Sequence, residues 1–348
     1  MAGRTYKRIL FALGFFFFVY LLRQLGWEAL ARDFRLLGWS IVLILSLNGV
    51  KYAISALAWA TAFFPEERQS WISLFGRRLA GEAMNYLSVG GPLLSEPTKA
   101  SLVQGVGFAP ALASTLVESL SNIIAGSLVT AAGLAMLALW QPMEWTMRLA
   151  AYLAIALLLL FCLAFPYALK RGAPFLTWGW RRARRVGWLC SPKLGEKLAL
   201  VEERMHRLSA ERPTALWTIF LLSLATQGLA LLEVYAIILP LGITPHFSSV
   251  VMMEAFTKLA KAVFFFIPAR IGADEGSSAG IFALMGLTPT AGITLAFARR
   301  LRALFWSAIG LLYLFSQGVR SARKDHPVID KPPVTLNSIR NPDEVTMA

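Results

Sequence analysis

Glu82, Asn85, Glu96 and Lys99 share one stretch, GEAMNYLSVGGPLLSEPTKASL at 81–102, set between apolar runs. A second set, Lys258, Lys261, Arg270, Asp274 and Glu275, lies between Phe247 and Leu287. An ionisable side chain at membrane depth costs at least a few kcal/mol unless it pairs or lines a polar cavity. Two chemistries fit such sets. Glu82, Glu96, Asp274 and Glu275 can be locked in salt bridges with neighbours such as Arg77, Arg78 and Lys99, or the charges can line a polar path that holds a headgroup or counter-ion. Glu118 and Asn122, at i and i+4, share a face of the next apolar run. Arg299, Arg300 and Arg302 fall about ten residues, roughly 15 Å of helix rise, beyond Pro289. Three arginines so deep require acids or a phosphate, and Glu118 and Glu233 are the candidate acids; snorkelling to an interface is the shallower alternative.

The chain that must position these groups has 348 residues, 57% of them hydrophobic and 16% charged. That balance is far more apolar than a soluble domain's. Apolar runs occur at 9–22, 36–64, 110–140, 146–169, 214–241 and 289–315. Most exceed the roughly 20 residues needed to cross a hydrocarbon core of about 30 Å. The sequence therefore reads as an all-α polytopic membrane protein with about six full spans. Its basic start and first apolar run have the outline of a signal peptide. Nine residues, including Arg23, Trp27 and Glu28, separate Leu22 from Arg32, however, so the segment is expected to remain uncleaved.

Several function classes are excluded. Two cysteines, Cys162 and Cys190, and three scattered histidines give neither a disulfide framework nor metal-ligand spacing. No zinc-protease helix, P-loop or nucleophile elbow occurs, and QGVGF at 104–108 lacks the strand that a nucleotide-binding turn needs. No cofactor, metal or catalytic residue is expected. The net charge of +14 would suggest nucleic acid for a soluble protein, but eleven basic residues against four acids fall in the segment 170–212. By the positive-inside rule that loop is cytoplasmic, as are the N-terminus with Arg4, Lys7 and Arg8 and the polar tail, 319–348, with Arg320, Arg323 and Lys324. No nucleic-acid partner is expected. Within the loop, WGWRRARRVGW at 178–188 interleaves tryptophan with arginine, which suits a helix on anionic headgroups; a solvated loop that only sets topology is the plainer reading.

Two regions do not read as simple spans. Trp71–Val89 and Leu93–Gln104 flank Gly90-Gly91-Pro92, and Phe247–Ile267 and Ser277–Leu287 flank PARIGADEG at 268–276. Both are expected to be re-entrant or broken-helix hairpins, each followed by a long span that begins at Pro110 or Pro289, where proline suits a first turn. At an offset of 179 residues, Glu96, Ala100, Gly107, Pro110, Thr115 and Leu116 match Glu275, Ala279, Gly286, Pro289, Thr294 and Leu295. Six identities in 21 positions compare with about one or two by chance, which marks an internal repeat. The repeats run from about 36 to 140 and from about 214 to 317, inside one transmembrane domain, 1–318. Counting spans from a cytoplasmic N-terminus makes the two hairpins enter from opposite faces, an inverted repeat with binding expected near the midplane. A helix start at each break would offer free N–H groups to an anion. Gly90 and Gly91, and in the second repeat Gly272 and Gly276, would allow close approach there, and Arg270 could clamp a phosphate. Glu96 and Asp274 could instead cap those helices.

At these residues the sequence resembles the transmembrane-region family of lysylphosphatidylglycerol synthase, a flippase-like integral membrane domain. GEAMNYL and SEPTKASL resemble its GEAxNxL and EPxRA elements, and IPARIGADEG with ARRLRALFWSAIGLLYL is similar to its second element and the arginine-bearing span that follows. The resemblance covers about residues 5–318 and points to Glu82, Asn85, Glu96, Lys99, Pro268, Arg270, Gly272, Glu275, Arg299 and Arg302. Lys99 stands where arginine is common in the family, which leaves headgroup specificity open. The chain is expected to be a stand-alone member, because only about 30 polar residues follow Gly318 and no soluble transferase domain fits there.

The resemblance implies movement of lipids or lipid-linked molecules (aminoacylated phosphatidylglycerol, hopanoid-type lipids, lipid-linked sugars) between leaflets of a bacterial inner membrane. The expected substrate site comprises Glu82, Asn85, Glu96, Lys99, Glu118, Asn122, Lys258, Arg270, Asp274, Glu275, Arg299 and Arg302. Membrane lipids with an anionic headgroup are the expected partner, with a lipid-biosynthetic enzyme and a second copy of the chain as further candidates. The alternatives are a membrane subunit, catalytic or not, of a lipid-modifying pathway and a scaffold that recruits a soluble transferase through the basic loop.

Overall fold

The computed structural model describes residue 35 and residues 37–88, 91–140, 142–185, 192–264 and 272–324. The first apolar run, Pro268, Arg270 and the tail beyond 324 lie outside the described residues. All regular structure among them is helical: α1 Ser40–Thr61, α2 Trp71–Leu87, α3 Gly91–Leu102, α4 Phe108–Trp140, α5 Trp145–Lys170, α6 Phe175–Arg185, α7 Pro192–Glu211, α8 Pro213–Ile238, α9 Phe247–Val263, α10 Ala273–Leu284 and α11 Pro289–Lys324. Four of these segments, α1, α4, α5 and α8 with its 3-10 extension to Leu241, are long and apolar enough to cross a membrane. At 36 residues α11 has length to spare, about 54 Å of rise. Its arginines, rather than its length, set it apart from the apolar four.

Both expected breaks are present as helix pairs. In the first, Ser88 has extended backbone and its hydroxyl donates back to the Met84 carbonyl, so α2 ends there. Gly91 then lies against the Asn85 carbonyl, where a Cβ would stand 1.9 Å from the oxygen; only glycine lets α3 start so close to α2. In the second pair, Gly272 precedes α10 with φ +82°, and its N–H donates to Glu275 Oε2 at 2.9 Å. The cap on this helix is therefore Glu275 rather than Asp274. Glu96 caps nothing either, since it sits in the second turn of α3.

The helices pack in exchange. Each short second helix leans on the long helix that follows it, α3 on α4 and α10 on α11, while α11 lies along α2 of the first pair and α4 lies along α9 of the second. The central pair is α1 against α8. Close approach at the exchanged contacts depends on small residues. A Cβ on Gly310 would stand 2.1 Å from the Leu79 carbonyl oxygen, and one on Gly133 would stand 2.4 Å from the Ala255 Cβ. Membrane helices lack a hydrophobic drive toward each other and rely on this kind of backbone proximity. One apolar cluster gathers Val234, Ile237, Met253, Phe282 and Leu295, and a second joins α7 through Val201, Met205 and Leu208 to Ala113, Val117 and Ile219. By contrast α5 packs mainly on α4 and leaves Leu153, Leu157, Leu160 and Leu163 exposed, as a lipid-facing helix should.

Candidate functional site

The first cluster is built where α2, α3 and α4 meet. Glu118 of α4 is 1% exposed, and its carboxylate lies 2.7 Å from the Arg78 guanidinium and 3.9 Å from Lys99 Nζ. Lys99, 2% exposed, pairs with Glu96 Oε1 at 2.7 Å, and the Ser119 hydroxyl donates to the same oxygen at 2.8 Å. The lysine stem passes over Gly81, where any Cβ would meet it at 2.4 Å, so GEAMNYL needs its glycine to let SEPTKASL close. Glu82 lies one helical turn from Arg78, 3.9 Å away, and accepts a hydrogen bond from Asn85 at 3.4 Å. Three carboxylates and two cations share this cluster.

The second cluster gathers α8, α9 and α11. Glu254, 4% exposed, accepts ion pairs from Lys258 and Arg299, and Glu233, 2% exposed, from Arg302, with Arg299 Nε 3.8 Å away. Arg300 points elsewhere and pairs with Glu275. Lys51 of α1 is within electrostatic reach of Glu233, Glu254, Arg302 and Lys258, yet it makes no ion pair or hydrogen bond among the described residues. Lys51, Lys258, Lys261, Arg299 and Arg302 therefore face three carboxylates within electrostatic reach, Glu233, Glu254 and Asp274. Arg299 Nη1 and Arg302 Nε are buried without a hydrogen-bond acceptor among the described residues. Buried polar atoms are normally satisfied, and the open ones here are of both kinds, since Glu233 Oε1 in this cluster and Arg78 Nε in the first share the same state. Tyr52, one residue from Lys51, is within reach of Glu82 and Arg78 on one side and of Arg302 and Glu233 on the other. It marks where the two clusters adjoin.

Most of the expected residues come together, in a different arrangement. Of the two candidate acids for the arginines of α11, Glu233 pairs with Arg302, whereas α4 turns Glu118 toward Arg78 and Lys99 and Glu254 takes Arg299. Asn122, one turn beyond Glu118, leaves the cluster. Its side-chain oxygen accepts from Gln227 at 2.8 Å and Thr226 at 3.2 Å, tying α4 to α8. The arginines of α11 do not snorkel: Arg299 is 8% exposed and held by acids from two other helices. Asp274 lies near Arg299 electrostatically. Lys51, Tyr52 and Glu254 were missed, although a lysine midway along an apolar run and a Glu254–Lys258 pair at i and i+4 are signals that sequence carries.

An all-helical, multi-pass membrane protein with two adjoining clusters of buried charge is what this fold and site define. The chain belongs to the family described as Lysylphosphatidylglycerol synthase TM region, which matches residues 8–310, and so to the transmembrane part of a lipid-modifying synthase family. No curated protein and no solved structure matches it.

Proposed function

We propose that the chain moves a lipid with an anionic headgroup between the leaflets of a bacterial inner membrane, with both termini cytoplasmic and the two hairpins re-entrant from opposite faces. One observation carries this reading: in the second cluster five cations, Lys51, Lys258, Lys261, Arg299 and Arg302, outnumber the three carboxylates in their reach, Glu233, Glu254 and Asp274, and guanidinium N–H groups are left without acceptors among the described residues. Packing does not require uncompensated buried charge, and a headgroup phosphate would supply both the missing charge and the missing acceptors. The first cluster, with its surplus carboxylate, adjoins it through Tyr52 and offers a place for a cationic headgroup substituent or a transported proton. Acyl tails would stay in the bilayer beside the exposed leucines. Of the expected substrate residues, Lys258, Arg299 and Arg302 serve the phosphate, and Glu82, Glu96, Lys99 and Glu118 the opposite end. Arg270 remains a candidate clamp from the second break, Glu275 caps the start of α10, Asp274 lies within electrostatic reach of Arg299, and Asn85 orients Glu82.

The family's synthase description supports a second reading, a membrane subunit of a lipid-modifying pathway; purified protein that yields a new lipid product would favour it. Native mass spectrometry of gently purified protein tests binding. Wild type is expected to retain one anionic lipid class. Arg302→Gln should lose it by about ten- to a hundredfold, the worth of one charge-assisted hydrogen bond at about 1.5–3 kcal/mol. Bulk phospholipid retained equally by both would count against the proposal.

A further inference from the structure

Helix α6 takes no part in either cluster, and its register divides into two stripes. Thr177, Trp180 and Arg184 turn toward α7. Thr177 is buried, the Trp180 ring lies so near Gly195 that a Cβ there would meet it at 2.8 Å, and the Arg184 guanidinium sits 5.5 Å over that ring. Trp178, Arg181, Arg182 and Arg185, at i, i+3, i+4 and i+7, form the other stripe, and all four are exposed, Trp178 at 68%. No carboxylate among the described residues pairs with these three arginines, although other arginines in the same loop, Arg204 and Arg207, do find one.

The orientation of that stripe is fixed from below. Glu202 of α7 accepts the backbone N–H groups of Leu176 and of Thr177, the latter at 3.2 Å, at the end of α6 where the helix dipole favours a carboxylate. Four residues, 171–174, join α6 to Lys170 at the end of α5, an apolar helix long enough to span. Such a linker reaches at most about 14 Å, so α6 stays at the level of the headgroups.

We infer that Trp178, Arg181, Arg182 and Arg185 form a binding stripe for anionic lipid headgroups on the membrane surface, distinct from the buried clusters. The geometry suits that occupant: the indole is a side chain of the membrane interface, and guanidinium groups take phosphate oxygens in pairs. Charge complementarity comes from three arginines without acids, and the short tether places lipid nearest to them. Engagement of the stripe also holds the start of the first hairpin. Helix α7 is tied to the chain just beyond α1 through the Arg204–Glu67 ion pair, the Arg204 guanidinium 4.1 Å over the Phe64 ring, and Arg212 donating to the Phe63 carbonyl.

The test is hydrogen exchange on the full chain in nanodiscs of phosphatidylcholine alone and of an equal mixture with phosphatidylglycerol. Each basic residue near an anionic surface contributes about a fivefold effect. Exchange over 175–185 should therefore slow several-fold in the mixed discs, and the difference should vanish in the triple variant Arg181→Gln, Arg182→Gln, Arg185→Gln. Unchanged protection over 200–208 shows that the variant keeps its fold, and Trp178→Ala with the arginines intact should lose only part of the effect. Equal exchange in both discs, a lipid effect that survives the triple variant, or slowing that requires an added acidic soluble protein would each overturn the inference.

Discussion

Replacing Lys51 by methionine is expected to stabilise the protein while weakening its hold on anionic lipid. The ammonium, half-buried, stands among Arg302, Lys258 and two carboxylates that other cations already occupy, so its removal relieves a poorly compensated charge. Substituting an apolar side chain for a poorly compensated buried ion is often stabilising by about 1–2 kcal/mol. For a chain of this size the melting temperature in mild detergent should rise by a few degrees. Retention of the anionic lipid in native mass spectrometry should fall by about tenfold or more, because one of the charges facing the phosphate is gone. Opposite movements of stability and binding are the mark of a residue kept for function. A destabilised Lys51→Met protein with unchanged lipid retention would make Lys51 a structural partner of Glu233 and Glu254.

The second large effect is expected at Glu254. This carboxylate is the shared partner of Arg299 and Lys258, and Glu254→Ala leaves two buried cations beside an existing cation surplus. Breaking one side of a buried pair costs about 3–5 kcal/mol, and here the unpaired charges add to the repulsion. The variant should unfold at a much lower temperature, or express poorly, and adding Arg299→Leu should restore part of the loss. Glu118→Gln should cost less, since Arg78 and Lys99 would still face two carboxylates, Glu82 and Glu96, and the amide keeps the shape of the acid. Thermal unfolding of wild type, Glu254→Ala, Arg299→Leu and the double variant, compared as a cycle, separates the pair from its surroundings. Equal losses at Glu254 and Glu118 would show that the charge surplus does not govern these sites.

The helical nature of the chain, the two breaks and the convergence of charge were legible from composition and from the repeat between 96–116 and 275–295. Matched positions even behave alike: Glu96 reaches Ser119 on the helix that follows its pair, and Glu275 reaches Arg300 on the helix that follows the other. Partner choice was legible only in part, since Glu233 stood as a candidate acid and pairs with Arg302, while Glu118 stood beside it and does not. Glu118 and Arg299 lie at similar depths after matching prolines, and sequence gave no means to see that packing in exchange would set α4 on α9 and α11 on α2. That exchange turns Glu118 toward Arg78 and hands Arg299 to acids of α8 and α9. Lys51 escaped notice because a single lysine hardly lowers the hydropathy of α1, and its meaning depends on a cluster assembled from three distant helices.

Reconstitution into vesicles carrying a fluorescent, headgroup-intact anionic lipid is the most direct test of leaflet exchange. A quencher added outside reports how fast inner-leaflet lipid reaches the surface. Wild-type vesicles should exchange the anionic lipid well above the protein-free rate and above a zwitterionic control, and Lys51→Met and Arg302→Gln, both folded, should fall back toward the protein-free rate. Exchange no faster than in empty vesicles, or equally fast in wild type and both variants, would contradict the proposed translocation through the second cluster.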